Sequence, residues 1–200
     1  MRQAIAIALI SIGVLHINTP GLQNQKLKTI EEKQTIQQQR CVIKKRSPVS
    51  FNSEDIRVKS NINAEEMKEL LSGTDMKELS QSFVKAEEEF GVNALALAGL
   101  VALESGWNTS DRAARQNNLT GYAVYSDESS GKDFSSKDEC ILRTAKLLKE
   151  DYLSKEGQWH NGYSLDSINI MYSSDKRWSN KITSISNKLL NNYNNTVKEI

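Results

Sequence analysis

Residues 93–110 read NALALAGLVALESGWNTS. From Ala94 to Leu103 every position is small or apolar, so a helix there has no polar face and belongs at the centre of a fold. An acid then arrives in the last turn, Glu104, just before Ser105 and the helix-stopping Gly106. At about 100° per residue Glu104 shares the side of Leu97, Leu100 and Val101, while Leu95, Ala98, Gly99 and Ala102 cover the opposite side. A carboxyl so placed either emerges into water where the helix ends or lines a cavity. In a cavity, lost hydration and the negative end of the helix dipole both disfavour the ionised form and raise the pKa. A proton held near neutral pH is what a general acid for glycosidic cleavage needs.

Helix signals follow one another on both sides of this stretch. Asn63 and Glu66 spell a capping box before AEEMKELLS, which stops at Gly73. Asp75 with Glu78 is expected to open the next helix, in which Met76, Leu79, Phe83, Ala86 and Phe90 recur at helical spacing before Gly91. Asn93 caps the apolar helix. Ser136 with Glu139 opens another with the stripe Ile141, Ala145, Leu148 and Tyr152. Ser164 starts a short helix through Met171, and a last one runs from about Asp175 toward Tyr193. Between them, Tyr122, Val124 and the turn Ser129-Ser130-Gly131-Lys132 predict a short β-hairpin. The expected fold is mainly α (α+β): a helical body with one small β-lobe, and ligands commonly lie between two such lobes.

At 200 residues and 38% hydrophobic content the chain can bury one sizeable core. The net charge of +1 conceals an asymmetry: residues 1–60 hold ten Lys and Arg against four Asp and Glu, so the remainder is acidic. That balance, with no basic patch interleaved with aromatics, argues against a nucleic-acid partner. Arg2 followed by fourteen residues from Ala4 to Ile17, apolar apart from Ser11 and His16, matches a secretory signal and is short of the roughly 20 a spanning helix needs. No A-x-A cleavage pattern follows, so residues 1–20 are expected to be either a signal peptide or a retained anchor touching the membrane. Residues 21–60, rich in Gln and Lys, read as a basic polar spacer, and 61–200 as the catalytic domain, exported and monomeric. Cys41 and Cys140 have no metal-ligand spacing, and their pairing is not legible.

The segment ALESGWNTSDRAARQNNLTGY resembles the A-L-E-[ST]-G-x-G-x-S signature, with its later double Asn, of glycoside hydrolase family 73, the endo-β-N-acetylglucosaminidases that cut bacterial peptidoglycan. YAVYSDESSGKDFSS is similar to the family's β-lobe segment, and MYSSDKRWSNKI to its K-Y-A-[ST]-D-P-x-[YW]-x-x-K-I motif. The three recur in order across roughly residues 61–192. The resemblance implies a lysozyme-like body, peptidoglycan glycan strands as substrate, and neither metal nor cofactor. It places Glu104 on the catalytic acid and Tyr172 on a tyrosine facing the cleft beside the reacting sugar. Asp175 matches too, and a role capping the final helix is expected of it. Asn118, with Asn117, falls on the double Asn that supports the cleft wall, and Tyr122 and Tyr125 fall on the β-lobe. Trp178 either stacks on a sugar face or packs on the core.

Three departures from the pattern bear on chemistry. Tyr125 is followed by Ser126 where the family often has Asp, so Asp127 serves as second carboxylate only if offset by one residue. Thr120 stands where an aromatic usually precedes the glycine, and Trp107 replaces a glycine and is expected to pack under the helix end. A muramidase or lytic transglycosylase on the same body is the nearest rival, although no G-L-M-Q segment follows the central helix. A non-catalytic wall-binding module is the other. A nucleophilic triad is disfavoured because His160 is the domain's sole histidine, in a polar loop where exposure is expected.

Overall fold

A computed structural model describes residues 25, 27–37, 47–123 and 131–198, and the chain divides into two compact units, Met1–Arg46 and Ser47–Ile200. In the first, residues 27–37 are helical and exposed. The expected signal or anchor, and Cys41, lie outside the described residues.

The second unit holds seven α-helices among its described residues: α1 (Ala64–Leu70), α2 (Ser80–Phe90), α3 (Ala94–Ser105), α4 (Asp111–Gln116), α5 (Lys137–Leu147), α6 (Leu165–Tyr172) and α7 (Trp178–Lys198). The capping box of α1 is formed in full: Glu66 N–H donates to Asn63 Oδ1 at 2.9 Å and Asn63 N–H to Glu66 Oε2 at 2.8 Å. The expected cap at Asp75 is not. Thr74 makes that turn instead, Met76 and Leu79 fold into the core through a tight 3₁₀ turn (Lys77–Leu79), and α2 starts without a side-chain cap. Burying Met76 and Leu79 outweighs the cap that the sequence spells.

At the centre, α3 is buried at every residue from Ala94 to Ala102. Asn93 begins it, accepting from Leu95 N–H and Ala96 N–H at 3.0 Å, and Gly106, at φ 59°, ends it by donating its N–H to Ala102 O. Helix α7 packs antiparallel along α3, since Ser186 Oγ donates to Leu95 O near one end and Trp178 meets Glu104 at the other. The approach is close at Gly99, where a Cβ would meet the Ser186 hydroxyl and lie 3.2 Å from Ile182 O.

Two elements depart from the sequence reading by addition. Helix α4 is a six-residue polar segment capped by Ser110, with Ala113 alone buried, too short and too polar to carry a periodic signal. Helix α5 continues as a wider π turn over Leu148–Leu153, which keeps Leu148 and Tyr152 buried. Where a β-hairpin was expected, the described residues contain no strand, and residues 124–130 lie outside them. What is described is the base of a loop, Lys132 N–H donating to Tyr122 O at 3.1 Å.

The compact unit also starts earlier than residue 61. Val49 and Ile56 are in the core, and Asn93 Nδ2 donates to Ser50 O and Val58 O at 3.2 and 2.8 Å. The buried Glu87 carboxylate accepts Ser60 N–H at 2.9 Å and Ala94 N–H at 2.7 Å. Ile56 N–H donates to Tyr163 O, and Leu165 N–H to Ser53 O. Residues 47–60 are thus a strap across the start of α3, not free spacer.

Candidate functional site

Three helix ends meet around Glu104. It lies in the last turn of α3; Tyr172 is the last residue of α6; Trp178 is the first of α7. The five residues between the latter two are held by Asp175, whose Oδ1 accepts Arg177 N–H at 2.9 Å while its backbone carbonyl accepts Trp178 N–H at 3.0 Å and Asn169 Nδ2 at 3.1 Å. Asp175 Oδ2 also takes a 2.7 Å contact from Lys181 Nζ, and Lys181 first, then the Arg177 N–H, hold its carboxyl below the ordinary range. Asp175, expected to cap the final helix, bonds instead to the turn just before it: its side chain accepts from Arg177 N–H, one residue ahead of Trp178.

Glu104 is open to solvent along part of its side chain, yet protein surrounds its carboxyl closely enough to strip much of its hydration. Desolvation is the larger effect and raises its pKa; the Trp178 hydrogen bond and the Lys181 charge pull the other way without cancelling it. Trp178 Nε1–H donates to Glu104 Oε1 at 2.6 Å.

Tyr172 stacks at 4.7 Å from the Trp178 ring and 5.7 Å from the Tyr152 ring. Burial first, then the Glu104 charge, pushes its hydroxyl well above the usual phenol range, so it is a neutral hydrogen-bonding group at any working pH. Tyr152 behind it is pushed up to about 12 by burial and then by Asp151. Cys140, buried beneath, donates no charge either: desolvation raises its thiol.

Asn118 is buried and its amide is fully engaged: Nδ2 donates to Tyr122 O and Lys132 O, both at 3.0 Å, and Oδ1 accepts Tyr122 N–H at 2.9 Å. It closes the base of the loop. Tyr122 is half-buried, edge-on to Phe134 at 5.7 Å. Trp178 is only 3% exposed, so it offers little face to a sugar. Tyr125 and Asp127 lie outside the described residues. Trp107, at φ 61°, packs against the core and borders a surface cavity of about 460 Å³ with Leu70, Asp75 and Leu189. His160 is half-buried rather than exposed; its Nδ1–H donates to Tyr152 O at 2.7 Å, which fixes a structural tautomer.

The bond from Trp178 to Glu104 is the feature that sequence reasoning missed. Trp178, Ile182 and Leu189 share one face of α7, which marks the indole as core, and a buried indole N–H needs an acceptor.

Comparison with known proteins agrees with the fold. A crystal structure of Staphylococcus aureus autolysin E, a catalytic mutant in complex with the disaccharide NAG-NAM, superposes with a TM-score of 0.59 at 23% identity, covering 73% of this chain and 75% of that one. The same autolysin without a named ligand gives 0.58 at 22% identity, covering 73% and 76%. Two Streptococcus pneumoniae proteins provisionally named endo-beta-N-acetylglucosaminidase are 32% identical over 146 residues, 70% of this chain. The match spans only 22% and 21% of their lengths. The family profile described as Mannosyl-glycoprotein endo-beta-N-acetylglucosaminidase matches residues 80–191, more than half of the chain and the part that carries Glu104, Tyr172 and Trp178. The chain belongs to the glucosaminidase family.

Proposed function

We propose that the protein hydrolyses the β-1,4 bond after N-acetylglucosamine in peptidoglycan, with Glu104 as general acid. The observation that carries this is the carboxyl at the end of the apolar α3, raised in pKa by lost hydration beside a neutral Tyr172 hydroxyl. A carboxyl that keeps its proton to higher pH than a free glutamate can hand it to a leaving glycosidic oxygen, a step worth about 10² to 10⁴ in rate. The autolysin that shares the fold was crystallised with NAG-NAM, which fits a glycan of this kind. The apolar N-terminal run would deliver the enzyme to the wall side of the membrane, and the hairpin read from Tyr122, Val124 and the turn Ser129-Ser130-Gly131-Lys132 would supply the small β-lobe.

Stabilising the sugar cation requires a partner. Tyr172 remains neutral and is therefore not a nucleophile; its hydroxyl suits positioning the substrate's 2-acetamido group, which then attacks in place of an enzyme carboxylate. The alternative is water activated by Asp127. Asp127→Asn separates the two: turnover within about threefold of wild type supports substrate assistance, whereas a loss of about 10² or more assigns the base to the loop.

The functional test is the chemistry of the new chain end after digestion of purified cell walls, read by mass spectrometry. Reducing-end N-acetylglucosamine is expected. Reducing-end muramic acid or its anhydro form would make the protein a muramidase or transglycosylase, and retention on the wall with no soluble fragments would make it a binding module.

A further inference from the structure

We propose that Trp178 is a positioning residue for the reaction: its indole N–H pins one oxygen of Glu104, so that the transferable proton resides on the other oxygen. This rests on Glu104 being the acid.

An indole N–H donates and cannot accept. In a protonated carboxyl the carbonyl oxygen is the stronger acceptor, so a 2.6 Å bond to Oε1 favours the carbonyl there and the proton on Oε2. The indole itself has little freedom. It is 3% exposed, its ring lies 4.7 Å from that of Tyr172, and its backbone N–H is tied to Asp175 O at 3.0 Å. The Asp175 turn thus sets the start of α7, α7 sets the indole, and the indole sets the carboxyl. A proton fixed on one oxygen of a held carboxyl spares the reorientation that a freely rotating one would need during transfer.

The charged and titratable groups facing Glu104 define the sign of the test. From α7 comes Lys181, itself held by Asp175; from α6 comes Tyr172. Behind Tyr172 lie Tyr152 on the π turn, Cys140 on α5 and Tyr122 on the loop. The indole N–H favours the ionised carboxyl, in opposition to burial. Removing that N–H therefore raises the acid's pKa further, even as it lets the carboxyl rotate.

The experiment uses the full chain, a soluble glycan oligomer of alternating N-acetylglucosamine and N-acetylmuramic acid, and Trp178→Phe. The expected result is a kcat lowered roughly 10- to 100-fold, the size of one hydrogen bond to a charged group, with KM little changed and the alkaline limb of the pH profile moved to higher pH. An unmoved or downward-moved limb would overturn the proposal. So would a change confined to KM, which would make Trp178 a sugar platform. Because the substitution leaves a void, a second measurement is made on the native sequence: the indole ¹⁵N–¹H resonance of Trp178 should follow a titration in the wild type and lose it in Glu104→Gln. The absence of any titrating indole overturns the inference. Glu104→Gln keeping wild-type turnover would instead remove the general acid on which the inference rests.

Discussion

Glu104→Gln is expected to release no soluble muropeptide above background from purified walls, a loss of at least about 10² to 10⁴ in turnover. Glutamine keeps the shape of the side chain and an oxygen for the Trp178 N–H at 2.6 Å, so the packing of α3 against α7 survives while the transferable proton is gone. The same substitution should leave the fold as stable or more stable at neutral pH. Burial raises the carboxyl above its value in the unfolded chain, so the native state retains a proton that the unfolded state has released. Stability then falls as pH rises from the unfolded pKa through the folded one, and that loss persists above both. Glutamine has no such titration. Turbidity clearing and product analysis measure the first effect, and thermal unfolding at pH 5 and pH 7.5 the second. An inactive Glu104→Gln that also unfolds several degrees lower would show a structural residue; an active one would remove the acid assignment altogether.

The largest expected effect on stability comes from Gly99→Val. Glycine inside a helix ordinarily costs about 0.5–1 kcal/mol against alanine, so a glycine at the centre of α3 needs a packing reason. The reason is α7: any Cβ on residue 99 enters the space of the Ser186 hydroxyl, which donates to Leu95 O at 3.0 Å, and comes within 3.3 Å of Ile182 Cγ2. Valine forces the two helices apart or displaces a buried hydrogen bond. Overpacking of this kind costs about 3 kcal/mol, or a fall in Tm of roughly 6–12 °C for a chain of this size. Activity should fall with it even below the melting range, because α7 starts at Trp178. An unchanged Tm would show that α3 and α7 have slack at this level.

The α3 segment was the most legible part of the sequence because its signal is redundant: a capping Asn93, an uninterrupted apolar run and the stop at Gly106 all agree. Glu104 was legible for the same reason, as the one acid on a helix that has no polar face. Helix α4 was not, since six polar residues with one buried alanine leave no period to detect. The strap at 47–60 escaped for a different reason. Its two buried apolar side chains, Val49 and Ile56, are too few to show a pattern, and what fixes it are side chains from Glu87 and Asn93, several tens of residues downstream. The Trp178 bond is likewise a meeting of residues 74 positions apart, which a one-dimensional reading has no means to pair.

That strap alters what counts as the edge of the folded unit. A protease cut after residue 60, or a gene trimmed to begin there, would not shorten a tether. It would take away two carbonyls from Asn93 and one amide from Glu87, open the hole that Ile56 fills, and loosen the very helix whose far end holds the acid. A chain that begins at Ser47, where the compact unit starts, keeps all of these partners.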